Sequence, residues 1–386
     1  MKPLVSRSCK ERVLPTLARL CCESAGAEIM AQKAEILYFE IFALKTPAAL
    51  ILKQEALSLG AELALPKEAI LGKVERVDAL LIVSLRTLPI LLQKIANQPF
   101  GLRALEDTLR SHCAAAQKPP KPPKIMGVIN LTPDSFYAQS RVQEREALER
   151  ITTMMRDGAD IIDIGAASSR PGSGWIDPNE ERARVAHVFA EIRAQNLAKD
   201  VIFSVDSYTP EIVALALESG FSIINDINGM RDPQMRALAA QSGACVVLMH
   251  IVGSPETMQQ NPHYAHVLCE VDSFFEQQIA LLREEGFGGD IILDVGIGFG
   301  KRVQDNLDLI VGLAHFAHHQ MPLLVGASRK SLIGALCGDV PAESRLAGTL
   351  ALHLCAVRNG AAIVRCHDVK EHKQAFAIEQ ALGGIA

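Results

Sequence analysis

The sequence predicts an α/β protein, a (β/α)8 barrel preceded by a smaller N-terminal α/β domain. Three observations carry this. A stretch of alternating Pro-Pro and Lys, "AQKPPKPPK" from Ala116 to Lys124, divides the 386 residues into roughly 116 and roughly 263. Beyond it, short β-branched runs alternate with longer helical patterns, and there are eight such runs. Each run ends in, or shortly before, a polar residue.

The first part, 1–116, holds two strand-like runs, "AEILYFEIFAL" and "DALLIVSL". Two stretches, "PAALILKQEALSLGA" and "RTLPILLQKIA", read as helices. No paired carboxylates, metal-ligand spacing or glycine-rich loop occur there, so it reads as a packing or assembly domain. The linker, 117–123, is extended, because proline fixes φ and lacks a backbone donor. The remainder, 124–386, is close to the about 250 residues usual for a (β/α)8 barrel. Its strands are predicted at "KIMGVIN", "DIIDIGA", "VIFSVDS", "SIINDI", "ACVVLMH", "DIILDVG", "PLLVGAS" and "AIVRCH". Continuous apolar runs mark strands buried on both faces, and the intervals leave room for crossover helices. Eight units favour closure over an open doubly wound sheet of roughly five to seven strands.

The polar groups at the strand ends are Asn130, Asp163 with Ser168 and Ser169, Asp206, Asn225, His250, Asp294, Ser328 with Lys330, and Arg365 with His367. Active sites of such barrels lie at the C-terminal strand ends. Arg365 and His367 share one side of the last strand, since side chains alternate with period two. With Lys330 from the preceding strand they form a cluster suited to phosphate or pyrophosphate. Asp206, Asp294 and Asn225 are suited to the donor-rich edge of a heterocycle. An aminopyrimidinone offers an N–H pair that matches one carboxylate.

"LDVGIGFGK", Leu293 to Lys301, is not a P-loop, since Val295 and Arg302 stand where Gly and Ser or Thr are required. It reads as a loop permitting close ligand approach, with Asp294 and Phe299 at its edge. Met249 ends its strand as core, or as the floor of a flat ring pocket. His250, His263 and His266 lack a carboxylate or cysteine at ligand spacing, so no histidine metal site is expected there. "HFAHH", 315–319, is expected to be a solvated or packing face of an outer helix.

Composition narrows the class further. The chain is 49% hydrophobic and carries a net charge of -5, so it has no global basic field and no nucleic-acid partner is expected. Its nine cysteines are odd in number and show no CxxC spacing, which points to free thiols in a reducing compartment. Arg19 interrupts the N-terminal apolar stretch, and no run of about 18 apolar residues suggests a membrane span. A cytoplasmic protein without membrane attachment is expected.

The motifs "MGVINLTPDSF", "IIDIGAASSRPGS", "FSVDS", "IINDI", "LMH", "LDVGIGFGK", "VGASRKSLIG" and "VRCHDV", in this order, resemble dihydropteroate synthase. They span Lys124 to about Lys373. "ILKQEALSLGAELALPKEAI" resembles an N-terminal extension found in some members. The resemblance implies a (β/α)8 barrel, usually dimeric, that joins p-aminobenzoate to 6-hydroxymethyl-7,8-dihydropterin pyrophosphate. Products are 7,8-dihydropteroate, a folate precursor, and pyrophosphate, and sulfonamides compete with the aminobenzoate. By the same resemblance Asp206, Asn225, Asp294 and Lys330 hold the pterin. Asn130, Arg365 and His367 hold the pyrophosphate, with Mg2+ beside Asn130. The aminobenzoate lies near Ser169, Arg170, Pro171, Phe299, Lys330 and Ser331. Lys330, Arg365, His367 and Asp206 are the expected catalytic residues, and a homodimer is the expected assembly.

The sequence departs from the family pattern in places. Ala166, Ala167 and Ser169 replace a Gly, a Glu and a Thr. Tyr137-Ala138-Gln139 stand for Ser-Asp-Gly, Val295 for Pro, and Ser207 and Thr209 for a Thr and a basic residue. Two alternatives stand beside this reading, a pterin-binding methyltransferase barrel and a non-catalytic pterin-binding protein. A methyltransferase would not need Ser-Arg-Lys-Ser beside Arg-x-His.

Overall fold

The computed structural model describes residues 13–116, 122–131, 141–167 and 175–382. The chain divides into two units, Met1–Lys118 and Pro119–Ala386.

In the first unit an antiparallel sheet is ordered β1-β3-β2, with β1 Ile36–Lys45, β2 Glu62–Ala64 and β3 Arg76–Ser84. Val77, Ala79, Leu81 and Val83 alternate inward along β3, as period two requires of a sheet covered on one face. Helices Thr46–Ser58, Leu88–Ile95 and Leu102–Ala116 bring Leu52, Leu88, Leu92 and Leu109 into the same core. The pairing of β1 with β3 slips between Ile41 and Leu44, where Ala43 takes φ 50°. Asp78 accepts the Ala43 N–H at 2.8 Å and Arg76 donates to the Ala43 carbonyl at 2.8 Å, so side chains hold this bulge. Both strands and both helices expected here are present. The sequence reading missed β2 and the helices Val13–Arg19, Ser24–Ala34, Lys67–Ile70 and Leu102–Ala116.

The second unit is a closed parallel barrel of eight strands, a TIM barrel. Its strands are β4 Lys124–Asn130, β5 Ile161–Gly165, β6 Ile202–Asp206, β7 Ile223–Asp226, β8 Cys245–Met249, β9 Ile291–Asp294, β10 Leu323–Val325 and β11 Ile363–Cys366. β11 pairs back onto β4 and closes the ring. Every predicted run forms its strand. Proline opens the helices Pro178–Ala194 and Pro233–Ser242, where Asp177 and Asp232 accept backbone N–H groups at 2.8 Å as N-caps. The outer helix expected to carry 315–319 is broken. It runs Val303–Val311, stops at Gly312 and continues as a 3-10 helix, Leu313–His319. Gly312 lies so close to the neighbouring helix that a Cβ there would stand 2.7 Å from Leu268. Among the described residues, no helix is long and apolar enough to cross a membrane.

Alternation along the strands divides the barrel interior. Met126, Ile161, Ile223, Val247, Ile292, Leu324 and Ile363 form one apolar layer. Two residues further along five of these strands stand Asp163, Asn225, Met249, Asp294 and Arg365. The intervening residues, such as Ile162, Ile224, Val246, Leu293 and Val364, face the helices in the larger core. The barrel is therefore filled by hydrocarbon below and by polar groups at its C-terminal mouth. Asn130, Gly165, Asp206 and Asn225 pair in one row across β4 to β7, so the sheet register aligns three of the expected site residues.

Candidate active site

Arg365 is the centre of the mouth. Its Nε donates to Asp163 Oδ2 at 2.6 Å and its Nη2 to Asp206 Oδ2 at 2.5 Å. Asn225 Nδ2 donates to the same Asp163 oxygen at 3.0 Å. Burial opposes a charge on Arg365, but the two carboxylates outweigh it and hold the guanidinium above its ordinary pKa. Burial pushes the Asp206 carboxyl up, Arg365 opposes the rise and the Asp163 charge adds to it. Asp163 is fully buried, and its Oδ1 has no hydrogen-bond partner among the described residues. Ser204 Oγ, on the neighbouring strand, is buried and unpartnered in the same way. A buried acceptor without a donor is costly unless a ligand completes it. Asp163 Oδ1 is therefore an open acceptor, while the Ser204 hydroxyl can donate or accept.

Across the mouth, Asp294 Oδ1 accepts the Gly296 N–H at 2.8 Å. Burial raises its carboxyl against the opposing effect of Lys330. Lys330 Nζ stands 4.2 Å from the centre of the Phe299 ring and donates to the Ile297 carbonyl. Burial lowers this ammonium to about 7. Phe299 is half-buried against a small apolar cluster of Ile227, Met249, Ile251 and Met258. Met249 thus lines a flat apolar wall beside the polar groups.

The glycines of the loop after β9 are approached closely by neighbouring groups of the protein itself. A Cβ at Gly296 would stand 2.0 Å from the His250 carbonyl oxygen, and one at Gly300 2.9 Å from the Val252 carbonyl. The close approach is therefore made by the protein's own backbone. Lys301 is buried at its centre and donates to the carbonyls of His250, Gly296 and Phe299 and to His250 Nδ1. Burial lowers Lys301 to about 7 and holds His250 down at about 2, so the imidazole accepts. His250 is thus a support of the loop.

The loops after β10 and β11 are tied together. Ser328 Oγ contacts His367 Nδ1 at 2.9 Å and accepts the His367 N–H at 3.2 Å. Burial, with Arg365 nearby, lowers His367 to about 4, so it is a neutral N–H donor at neutral pH. Arg329 forks onto Asp368 at 3.0 and 2.6 Å. Behind them, Ala327 N–H donates to His353 Nε2 at 2.9 Å, which leaves the proton on His353 Nδ1. That nitrogen meets His372 Nε2 at 2.7 Å, and His372 Nδ1 meets the Asp368 carbonyl at 2.6 Å. Each contact fixes the next tautomer, so two neutral histidines connect the two loops. Both lie in helical patterns that resemble core, and the sequence reading missed them.

Asn130, Asp206, Asn225, Met249, Asp294, Phe299, Lys330, Arg365 and His367 stand at the strand ends or in the loops that follow them. Ser331 is exposed at the start of a six-residue helix, Ser331–Leu336. Ser169, Arg170 and Pro171 lie outside the described residues. The far end of their loop is fixed, with Trp175 edge-on to Tyr208 at 4.4 Å and Ile176 N–H donating to the Tyr208 hydroxyl at 2.9 Å. Two of the departures from the family pattern have a local reason. Ser207 and Thr209 donate to the buried Glu181 carboxylate at 2.7 and 2.6 Å, a pairing a basic side chain at 209 could not make in the same way.

The carboxylates, amide and guanidinium thus converge at the C-terminal mouth of a TIM barrel, the place where enzymes of this fold carry their active sites. Residues 126–367 match the family of pterin binding enzymes. Over 369 residues, 96% of each chain, the sequence is 43% identical to a bifunctional dihydropteroate synthase/dihydropteroate reductase of Helicobacter pylori. A Yersinia pestis dihydropteroate synthase, solved with a sulfonamide drug complex, superimposes with a TM-score of 0.64 at 36% identity, covering 67% of this chain and 94% of that one. A Xanthomonas albilineans dihydropteroate synthase in complex with 7,8-dihydropteroate gives 0.61 at 33% identity, covering 68% and 95%. The chain belongs to the dihydropteroate synthase family.

Proposed function

We propose that the barrel condenses 6-hydroxymethyl-7,8-dihydropterin pyrophosphate with p-aminobenzoate, giving 7,8-dihydropteroate and pyrophosphate. The observation that carries this is the convergence of Asp163, Asp206, Asn225, Asp294, Lys330 and Arg365 at the C-terminal mouth of the barrel, above its apolar floor. Asp294 accepts from the exocyclic amine and ring N–H of the pterin. Asn225, Asp206 and Lys330 complete its edge, and Met249 lies against its face. Arg365 Nη1 makes no hydrogen bond to a described residue, and with His367 and Asn130 it holds the pyrophosphate. The methylene C–O bond breaks with its electron pair leaving on pyrophosphate, and ring electrons stabilise the methylene cation. The neutral aniline nitrogen then forms the C–N bond and loses one proton to water. No strong base is required. Arg365 and the His367 N–H act on the charge as it develops on the leaving group.

Among the described residues, the mouth gathers no trio of carboxylate, histidine or cysteine ligands. The half-buried Asn130 at the end of β4 offers one amide oxygen. That donor set suits Mg2+ carried in by the pyrophosphate, since this ion keeps several waters and binds through few protein groups. When bound, Mg2+ neutralises charge on the leaving group. The aminobenzoate is assigned to Phe299, Lys330 and Ser331, with Ser169, Arg170 and Pro171. The chain is taken to work as a cytoplasmic homodimer.

Purified protein with both substrates and Mg2+ is expected to release pyrophosphate only when both substrates are present. Pterin binding without release would leave a non-catalytic binder and overturn the proposal. The Helicobacter pylori relative, similar along 96% of both chains, favours a second reading. Dihydropteroate reductase activity would appear as consumption of dihydropteroate with an added hydride donor, reduced nicotinamide or reduced flavin. No consumption with either donor would limit this chain to the synthase reaction.

A further inference from the structure

On the outer layer of the barrel, one carboxylate meets three imidazoles. His318 Nε2 lies 2.8 Å and His319 Nε2 2.7 Å from Asp272 Oδ1. His315 Nε2 lies 3.6 Å from Asp272 Oδ2. The ligand atoms of Asp272, His318 and His319 all fall within 4.8 Å of one another. Asp272 belongs to the helix Val267–Glu284 that follows β8, and the histidines to the 3-10 helix Leu313–His319 that precedes β10.

The local fold explains the convergence. A 3-10 helix has three residues per turn, so His315 and His318 stack on one face. His319 follows at the end of the segment, where Gln320 takes φ 59° and turns the chain. Phe275, one turn on from Asp272, packs edge-on against both Phe316 and His319 at 5.6 and 6.1 Å. The four polar side chains are between 8% and 28% exposed, shielded yet reachable. The expected solvated or packing face at 315–319 is therefore a converged polar cluster.

We propose that Asp272, His318 and His319, with His315 beside them, form a binding site for a divalent transition cation of the Zn2+ class. Two imidazole nitrogens and one carboxylate oxygen, with water in the fourth position, are a borderline donor set, which suits Zn2+ and its neighbours and not the hard cations Mg2+ or Ca2+. A tetrahedral ion with bonds of about 2.0–2.1 Å spaces its donors by roughly 3.3 Å. His318 and His319 stand 2.8 and 2.7 Å from the same Asp272 oxygen, so each moves outward by roughly half an ångström to take that spacing. Binding takes the neutral imidazoles through Nε2, so each ring carries its proton on Nδ1 in the bound form. Such an ion cross-links two segments separated by 46 residues and stabilises the folded barrel by mass action. It is separate from the mouth, sharing no residue with it.

The full chain, freed of metal by chelation, is titrated with Zn2+ and then Co2+. One equivalent of Zn2+ is expected to bind and to raise Tm. Co2+ is expected to give the visible bands of a four-coordinate nitrogen and oxygen site, without thiolate charge-transfer bands. Asp272→Asn and, separately, His319→Gln are expected to weaken binding by more than about 100-fold, the upper end of what loss of an outer ligand partner costs. Both are expected to keep synthase turnover with Mg2+. Should one variant fail to fold, the other carries the comparison. Absence of stoichiometric Zn2+ binding overturns the proposal, as does equal binding in both variants or a Co2+ spectrum dominated by thiolate.

Discussion

Replacing Asp163 with asparagine removes one negative charge from the barrel interior and leaves the side chain's shape almost unchanged. The wild-type carboxylate accepts from Arg365 Nε at 2.6 Å and from Asn225 Nδ2 at 3.0 Å through one oxygen. Arg365 keeps its second anchor on Asp206, so the full cost of breaking a buried pair, about 3–5 kcal/mol, is not expected. Loss of one charge-assisted hydrogen bond is worth about 1.5–3 kcal/mol. If that energy holds Arg365 against the leaving group, turnover falls roughly 10- to 150-fold at about 1.4 kcal/mol per decade. Steady-state pyrophosphate release measures the turnover, and urea unfolding checks that stability falls by no more than about 3 kcal/mol. Turnover within about twofold of wild type, with the fold intact, would show that Asp163 does not position Arg365 and would refute the reasoning.

Four further outcomes follow from the geometry. Burial lowers Lys330 to about 7, so the free mouth loses a positive charge as pH rises through about 7, and kcat/KM for the pyrophosphate substrate falls there. Lys330→Arg keeps the charge and removes that limb from the pH profile. Stability has the opposite sign, because a lysine with a depressed folded pKa disfavours folding below its ordinary value, so Lys330→Met is expected to be more stable at pH 7 than wild type in thermal unfolding. His353→Leu leaves the buried Ala327 N–H unpaired and costs about 1–3 kcal/mol, with kcat reduced through the displaced Lys330 loop, while His353→Gln restores part of both. Gly296→Ala places a Cβ 2.0 Å from the His250 carbonyl at φ 67°, and chemical denaturation should show a loss above about 3 kcal/mol, the upper end of backbone strain.

The barrel was legible because its strands are buried on both faces, which leaves eight uninterrupted apolar runs between helical ones. The strand-end residues were legible for the same reason, since an Asp, Asn or Arg is conspicuous where such a run stops. Asp163 was harder to see as a partner of Arg365. It lies inside its run, and only the period-two step from Ile161 places it in the polar layer. Glycine spacing at 296, 298 and 300 signals close approach, but sequence does not say whether ligand or backbone approaches. Here His250, Val252 and Lys330 occupy that space. Helical periodicity continued across Gly312, where the α-helix ends and a 3-10 helix begins. Asp272 and His318 are 46 residues apart, so no local pattern joins them. His353 and His372 sit at helical positions that otherwise carry core residues, and their hydrogen-bond chain exists only once two helices are packed.

The account's central claim is that the polar layer at the barrel mouth performs the condensation. Turnover of Arg365→Ala and Lys330→Ala, measured as dihydropteroate formed per pyrophosphate released, tests it most directly. Wild type is expected to form the two products one to one. Both variants are expected to lose at least about 100-fold in kcat/KM, about 2.7 kcal/mol, while unfolding as cooperatively as wild type. Near-normal turnover in both folded variants would contradict the assignment of the site.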